Sequence, residues 1–175
     1  MKNTAQFRKG FTLIELLIVI ALLGALAVGL LATIDPFEQL KKGRDTSTKN
    51  TVSEFYNAAL RYYANKGVLP WGGTGLATAT QLNTMTDAVN LLIGGGELKT
   101  GFMELAGTAN LGQIFVNSTS ADSIIVCYEP QSKSFQVDGY TQYNKDGSSP
   151  AQGYCKSDTS ANASGGTSPC YFCVQ

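Results

Sequence analysis

Histidine is absent from the chain. That removes the commonest general base and the commonest metal ligand, and with them most hydrolase and metalloenzyme chemistry. Neither sign of charge is in excess, since 13 Lys and Arg face 13 Asp and Glu. No basic stripe advertises nucleic acid, so no direct nucleic-acid partner is predicted. No phosphate-cradling glycine loop, nucleophile–base pair or metal cluster occurs either. No catalytic residue and no cofactor is therefore expected, and the chain reads as a non-enzyme. Cysteine is missing from the first 126 residues, and large apolar residues other than tyrosine are nearly missing from Thr141 to Pro169.

Charge is also missing where the apolar residues collect. From Phe11 to Ile34 the only ionisable side chain is Glu15. As a helix those residues would span about 36 Å, against a bilayer core of about 30 Å. Ahead of them, Met1 to Gly10 carries Lys2, Arg8 and Lys9 and no acid. Basic residues before the span keep the N-terminus cytoplasmic and send the bulk of the chain outward. An amphiphile with a membrane end and a soluble end is the first inference.

Three readings compete for this segment. A secretory signal peptide cut near Ala25-Leu26-Ala27 would need a shorter apolar core than this one. A plain signal anchor leaves Glu15 as an unexplained liability within the apolar run. The third reading uses the odd features together. Lys9-Gly10-Phe11-Thr12-Leu13-Ile14-Glu15-Leu16 has a basic leader, then Gly and Phe, with Glu fifth counting from Phe11. It resembles the prepilin signature of type IV pilins and type II secretion pseudopilins.

That resemblance implies cleavage by a prepilin peptidase between Gly10 and Phe11 and N-methylation of Phe11. Residues 1–10 would be a cytoplasmic leader, 11–36 a transmembrane and filament-core helix, and 37–175 an extracytoplasmic head. Glu15 would set subunit registration by pairing with the Phe11 amine of a neighbour. A buried ion pair gains little net energy, but one left half-made is costly, so such a pair specifies stagger. Gly24, Gly29 and the Asp35-Pro36 step are points of helix flexibility, and the likeness implies extension around Gly24 to Pro36 on assembly.

Beyond the span the helix is expected to continue nearly unbroken to Lys66. Val52, Phe55, Tyr56, Ala59, Leu60 and Tyr63 recur at helical spacing and form an amphipathic stripe. Glu38 and Lys42 stand four apart in the favourable order, and Gly67 supplies a stop, with Pro70 after it. A glycine-rich loop is predicted over Gly72 to Thr80, with Trp71 anchoring it on the helix. A short helix is predicted over Asp87 to Ile93, ended by Gly94 to Gly96. Strands are predicted over Gln113 to Val116, Ser123 to Tyr128 and Ser134 to Val137, the last two joined as a hairpin through Glu129 to Lys133. The fold class is thus α+β, a long N-terminal helix with a three- or four-stranded antiparallel sheet laid on its second half. That order of elements is similar to the pilin lollipop.

The four cysteines, Cys127, Cys155, Cys170 and Cys173, all lie in the presumed exported part. An even number there suggests disulfides formed in an oxidising compartment. A reduced Cys170/Cys173 redox or zinc pair would lack a following helix and a compact four-ligand cluster. Three pairings are open, and the residues do not choose among them. The pilin likeness implies a stapled C-terminal loop, Cys155 with Cys170, and Cys127 would then pair with Cys173. Pairing 127 with 155 and 170 with 173 needs a tight ring. Asp138, Asn144 and Asp146 are oxygen donors in one loop and the only calcium candidates, though such clusters ordinarily form turns. No metal is predicted.

The resemblance implies a structural subunit of a type IV pilus serving adhesion, motility or DNA uptake. A type II secretion pseudopilin is the alternative, and a membrane-anchored extracytoplasmic binding protein survives if the leader is never cut. Implied partners are copies of itself in a helical filament, the prepilin peptidase, the pilus assembly machinery and, before assembly, the membrane. Implied localisation is a single pass through the cytoplasmic membrane with the head outside, then an extracellular filament.

Overall fold

The computed structural model describes residues 10–33, 35–149 and 170–175. The expected leader as far as Lys9, Cys155 and most of the Ser/Gly-rich stretch that brackets it lie outside the described residues. The chain divides into two compact units, one ending at Phe37 and the other beginning at Glu38.

In the first unit, α1 runs Leu13–Thr33. Leu and Ala, both strong helix formers, dominate it. It passes through Gly24 and Gly29 without interruption, and a Cβ at either glycine would meet nothing within 4 Å. Nineteen of its residues, Leu13–Leu31, are long and apolar enough to cross a bilayer, and none of that span is buried. The helical stretch breaks at the Asp35-Pro36 step. Asp35 Oδ1 accepts the Phe37 N–H at 3.1 Å, and Pro36 opens α2, Pro36–Lys66. A side-chain cap followed by proline at the first helical position starts a helix where the previous one has stopped.

The second unit is built on α2. Gly67, at φ +73°, ends it, its N–H donating to Tyr63 O at 2.7 Å. There follow β1 (Leu76–Gln81), a 3₁₀ turn (Leu82–Thr84), α3 (Thr86–Gly94), α4 (Phe102–Ala106) and α5 (Thr108–Leu111). Then come β2 (Ile114–Ser118), β3 (Ile125–Tyr128), α6 (Lys133–Gln136), β4 (Thr141–Tyr143) and β5 (Tyr171–Val174). The sheet is antiparallel, in the order β1-β2-β3-β5-β4. Strand alternation sorts its faces. Ile114, Val116, Val126, Tyr128 and Phe172 pack with Val52, Phe55, Ala58 and Ala59 of α2. Phe115, Cys127, Tyr171 and Cys173 form a second cluster on the other face. The α2 stripe is shifted from the predicted one: Ala58 is buried and Leu60 is exposed. Trp71 does anchor its loop, stacking on Phe55 with ring centroids 6.5 Å apart.

Two elements depart from the sequence reading. Leu76 to Thr80, predicted as loop, belongs to β1, because Leu76 pairs with Ser118 and Thr80 with Val116 of β2. Ser134 to Val137, predicted as a strand, is mostly α6. The cause lies on α2. The buried Asp45 carboxylate accepts the N–H of Gln131 at 3.0 and 3.1 Å, and the N–H and hydroxyl of Ser132 at 2.7 and 2.6 Å. Glu38 accepts the N–H of Lys133. Carboxylates gathering backbone donors at a helix start favour the helix over a hairpin return. β5 lies beside β3, as the implied Cys127–Cys173 pairing requires, and the sheet has five strands rather than three or four.

Replacing Asp45 with alanine strands the two buried donors of Ser132 and the partly buried N–H of Gln131. Unfolding free energy is expected to fall by about 3 kcal/mol, measured by urea denaturation of the detergent-solubilised chain. A loss under about 1 kcal/mol would mean that water takes over those donors.

Candidate functional site

The residues singled out from the sequence cluster at the start of α1. The site begins at Phe11, which is 93% exposed. Thr12 and Glu15 then clasp each other. Thr12 donates to Glu15 Oε2 twice, from its N–H at 2.8 Å and from its hydroxyl at 2.7 Å. The Glu15 N–H returns a bond to Thr12 Oγ1 at 3.3 Å, and the Leu16 N–H reaches Thr12 O at 3.2 Å. This is a capping box, the reciprocal bonding that satisfies the orphan donors of a helix N-terminus. Among the described residues nothing bonds to Glu15 Oε1. The carboxylate is therefore held in place by one oxygen and offers the other at the end of an unburied apolar helix.

Thr12 is the partner of Glu15 that the sequence reading passed over. Its signal was the Thr-x-x-Glu spacing immediately before an apolar run.

A family model described as the prokaryotic N-terminal methylation motif matches residues 6–31. The chain carries the type IV pilin and pseudopilin signature. Neither a curated protein nor a solved structure matches it. The match thus spans residues 6–9, Gly10, Phe11, the Thr12–Glu15 box and α1 as far as Leu31, and it leaves the second unit unmatched.

The other candidate residues lie in the head. Cys127 and Cys173 stand directly opposite in the β3–β5 register and form a disulfide, 4.1 Å between Cα atoms. Cys170 is disulfide-bonded as well; the suggested partner, Cys155, lies outside the described residues. The oxygen-rich loop is organised by turns. Asp138 Oδ1 accepts the Tyr140 N–H at 3.0 Å, and Asn144 Nδ2 donates to Ser148 Oγ at 3.0 Å. Asp146 Oδ1 accepts the Ser148 N–H at 3.0 Å and its hydroxyl at 2.6 Å. Those Ser148 bonds hold the Asp146 carboxyl below its usual range. Among the described residues no three acidic or cysteine side chains converge. Burial, reinforced by the negative charge of Asp45, pushes the Tyr128 phenol above its usual range.

One glycine fixes this loop. Gly147 has φ +80°, and a Cβ there would come within 2.3 Å of Ile125 Cγ2. Gly147→Ala is expected to destabilise the fold by about 3 kcal/mol through backbone strain and overlap, read as a lowered urea midpoint of the solubilised chain. An unchanged midpoint would mean that the loop moves off β3 at no cost.

Proposed function

We propose that this chain is a prepilin and that its mature form is a structural, non-catalytic subunit of a type IV pilus filament. The observation that carries the reading is the methylation motif at the head of a helix that its own fold leaves wholly unburied. A 19-residue apolar span outside any core needs lipid or other copies of itself. Cleavage between Gly10 and Phe11 removes Lys2, Arg8 and Lys9 but leaves α1 whole. It exposes one ammonium at Phe11, which is then N-methylated, with one carboxylate a turn further on.

In this reading the subunit waits in the cytoplasmic membrane, head outside, with Thr12 holding Glu15. On assembly Glu15 Oε1 meets the Phe11 amine of a neighbour. Desolvation offsets most of the attraction, so the pair contributes register more than affinity. The stretch from Gly24 through Gly29 to Pro36 is where the chain can lengthen by losing helicity, glycine being the poorest helix former after proline. The partners are further copies in a helical filament, the prepilin peptidase and the pilus assembly machinery. Adhesion, motility and DNA uptake are the services such a filament would give.

A pseudopilin of a type II secretion system shares the N-terminal chemistry. Against it stand the disulfide-stapled C-terminus and a head whose oxygen-rich loop spends its carboxylates on turns. Electron microscopy of filaments sheared from the cell surface separates the two. N-terminal sequencing of the mature protein tests the processing itself. A start at methylated Phe11 is expected, and a start at Met1 or Val28 would overturn the prepilin reading.

A further inference from the structure

Polar side chains buried in a small fold need a reason, because each costs free energy unless it is hydrogen-bonded. Two of them on α2, Asp45 at 3% exposure and Thr48 at 5%, line one cavity of about 400 Å³. Its walls are α2, α5, Gln113 and Gln131, and they are tied together. The Thr48 hydroxyl donates to Asn110 Oδ1 at 2.6 Å, which joins α2 to α5. Asp45 holds the Gln131 N–H, and Gln131 Nε2 donates in turn to Gln113 Oε1 at 3.2 Å. A cavity whose walls are already bonded loses little freedom when a ligand enters.

What those walls leave unspent selects the ligand. Every lining residue except Ala109 is polar, so an apolar helix or a lipid tail gains nothing there. Asp45 already accepts the donors of Gln131 and Ser132, which leaves it little to offer a cation. The carboxamides of Asn110, Gln113 and Gln131 keep further donor and acceptor capacity beyond the bonds just named. Exposed Arg44 adds a planar fork of donors, and Ser47 adds a hydroxyl that both gives and takes. Groups of mixed donor and acceptor character around one cavity match a ring of hydroxyls, which has the same character.

A second cavity, of about 300 Å³, shares Gln113 and Gln131 with the first and adds Phe115, Tyr171 and Glu129. Phe115 and Tyr171 meet edge to face, 5.8 Å between ring centroids. Aromatic rings bury C–H surface well, and a sugar ring carries C–H on its faces with hydroxyls at its rim. Partial burial raises the Glu129 carboxyl above its usual range, and hydroxyl donors from a ligand would favour its charged form. Arg44 is the one cation lining either cavity, against Asp45 and Glu129, so a phosphate or an acidic chain is disfavoured. Each cavity reaches the lower bound of about 300 Å³ for small-molecule sites.

We propose that the two cavities form one groove for an uncharged oligosaccharide. One sugar unit sits among the carboxamides and Arg44, the next lies against Phe115 and Tyr171, and the Gln131–Gln113 bond marks the junction. The groove lies wholly within the second unit, so the inference goes beyond the filament reading and does not rest on it.

The test uses the full chain in a detergent without a sugar headgroup, applied to an array of uncharged, acidic and amine-bearing oligosaccharides. Binding to uncharged members of two or more units is expected. Affinity for the tightest of them, measured by calorimetry, should fall about tenfold in Gln113→Ala and in Arg44→Ala, as loss of one ligand hydrogen bond implies. Lys99→Ala, outside the groove, should keep the parent affinity, and urea midpoints equal to the parent's show that the variants fold. Saturating the aromatic protons of the parent chain in an NMR experiment should pass magnetisation to C–H protons of the bound sugar. Absence of that transfer overturns the groove without recourse to any variant. Binding of acidic or amine-bearing members alone overturns it as well, as does an array with nothing bound. Affinity that Gln113→Ala and Arg44→Ala both leave unchanged moves the sugar elsewhere and overturns it too.

Discussion

Replacing Glu15 with alanine is expected to reduce filament yield to background while the subunit still accumulates in the membrane. The two halves of this expectation have separate causes. Removing the one charge from the apolar run eases insertion, so membrane-bound protein should not fall. Assembly, however, would bring the Phe11 ammonium of each copy into the filament core with no carboxylate to meet it. An uncompensated buried charge is the costly case, far worse than having neither partner. Glu15→Gln sharpens the test. Its amide oxygen can still accept from the N–H and hydroxyl of Thr12, which now bond to Glu15 Oε2, so the start of α1 is kept and only the charge is lost. If charge pairing sets the register, both variants fail to assemble. If capping is the whole role of Glu15, the glutamine variant assembles and the alanine variant does not. Normal yield from the alanine variant sinks the registration account.

Removal of the 127–173 disulfide by Cys127→Ala with Cys173→Ala should have the largest effect on the head. The bridge joins positions 46 apart, and closing a loop of that length constrains the unfolded chain by about 4 kcal/mol on the entropic account. The topology makes β5 sensitive to that loss. It places Phe172 in the core. It is also the strand on which β4 pairs, so freeing it releases two of the five strands. Urea unfolding of the solubilised double variant, against the parent with its disulfides intact, measures the effect. A difference below about 1 kcal/mol would show that strand pairing alone holds the C-terminus.

Much of the N-terminal site was legible in the chain itself. The basic leader, Gly10, Phe11, Glu15 and the uncharged run need only composition and order to be recognised, and Asp35-Pro36 marked the break between helices by its local chemistry. Thr12 was readable from its spacing to Glu15, yet it emerges as a partner only when the carboxylate is seen to bond back to it. The head was less legible. Leu76 to Gln81 is uncharged, and its alternation of Ala with Thr offers little hydrophobic contrast, so the local pattern does not separate strand from loop, and pairing with β2 decides it. Ser134 to Val137 alternates like a strand but is drawn into a helix start by Asp45, some ninety residues earlier.

The sequence by itself determined what lies within a helical turn or two: the span, its charge punctuation, its caps and the amphipathic half of α2. Such features depend on hydrogen bonds and side-chain spacing between residues three or four apart, which every copy of the chain carries regardless of context. Tertiary structure alone decided the strand order, the conversion of a predicted strand into α6, the meeting of Cys127 with Cys173 and the cavity that gathers Arg44, Asn110, Gln113 and Gln131. Those rest on contacts between distant residues, where burial against a common core and the closing of long loops outweigh weak local preference.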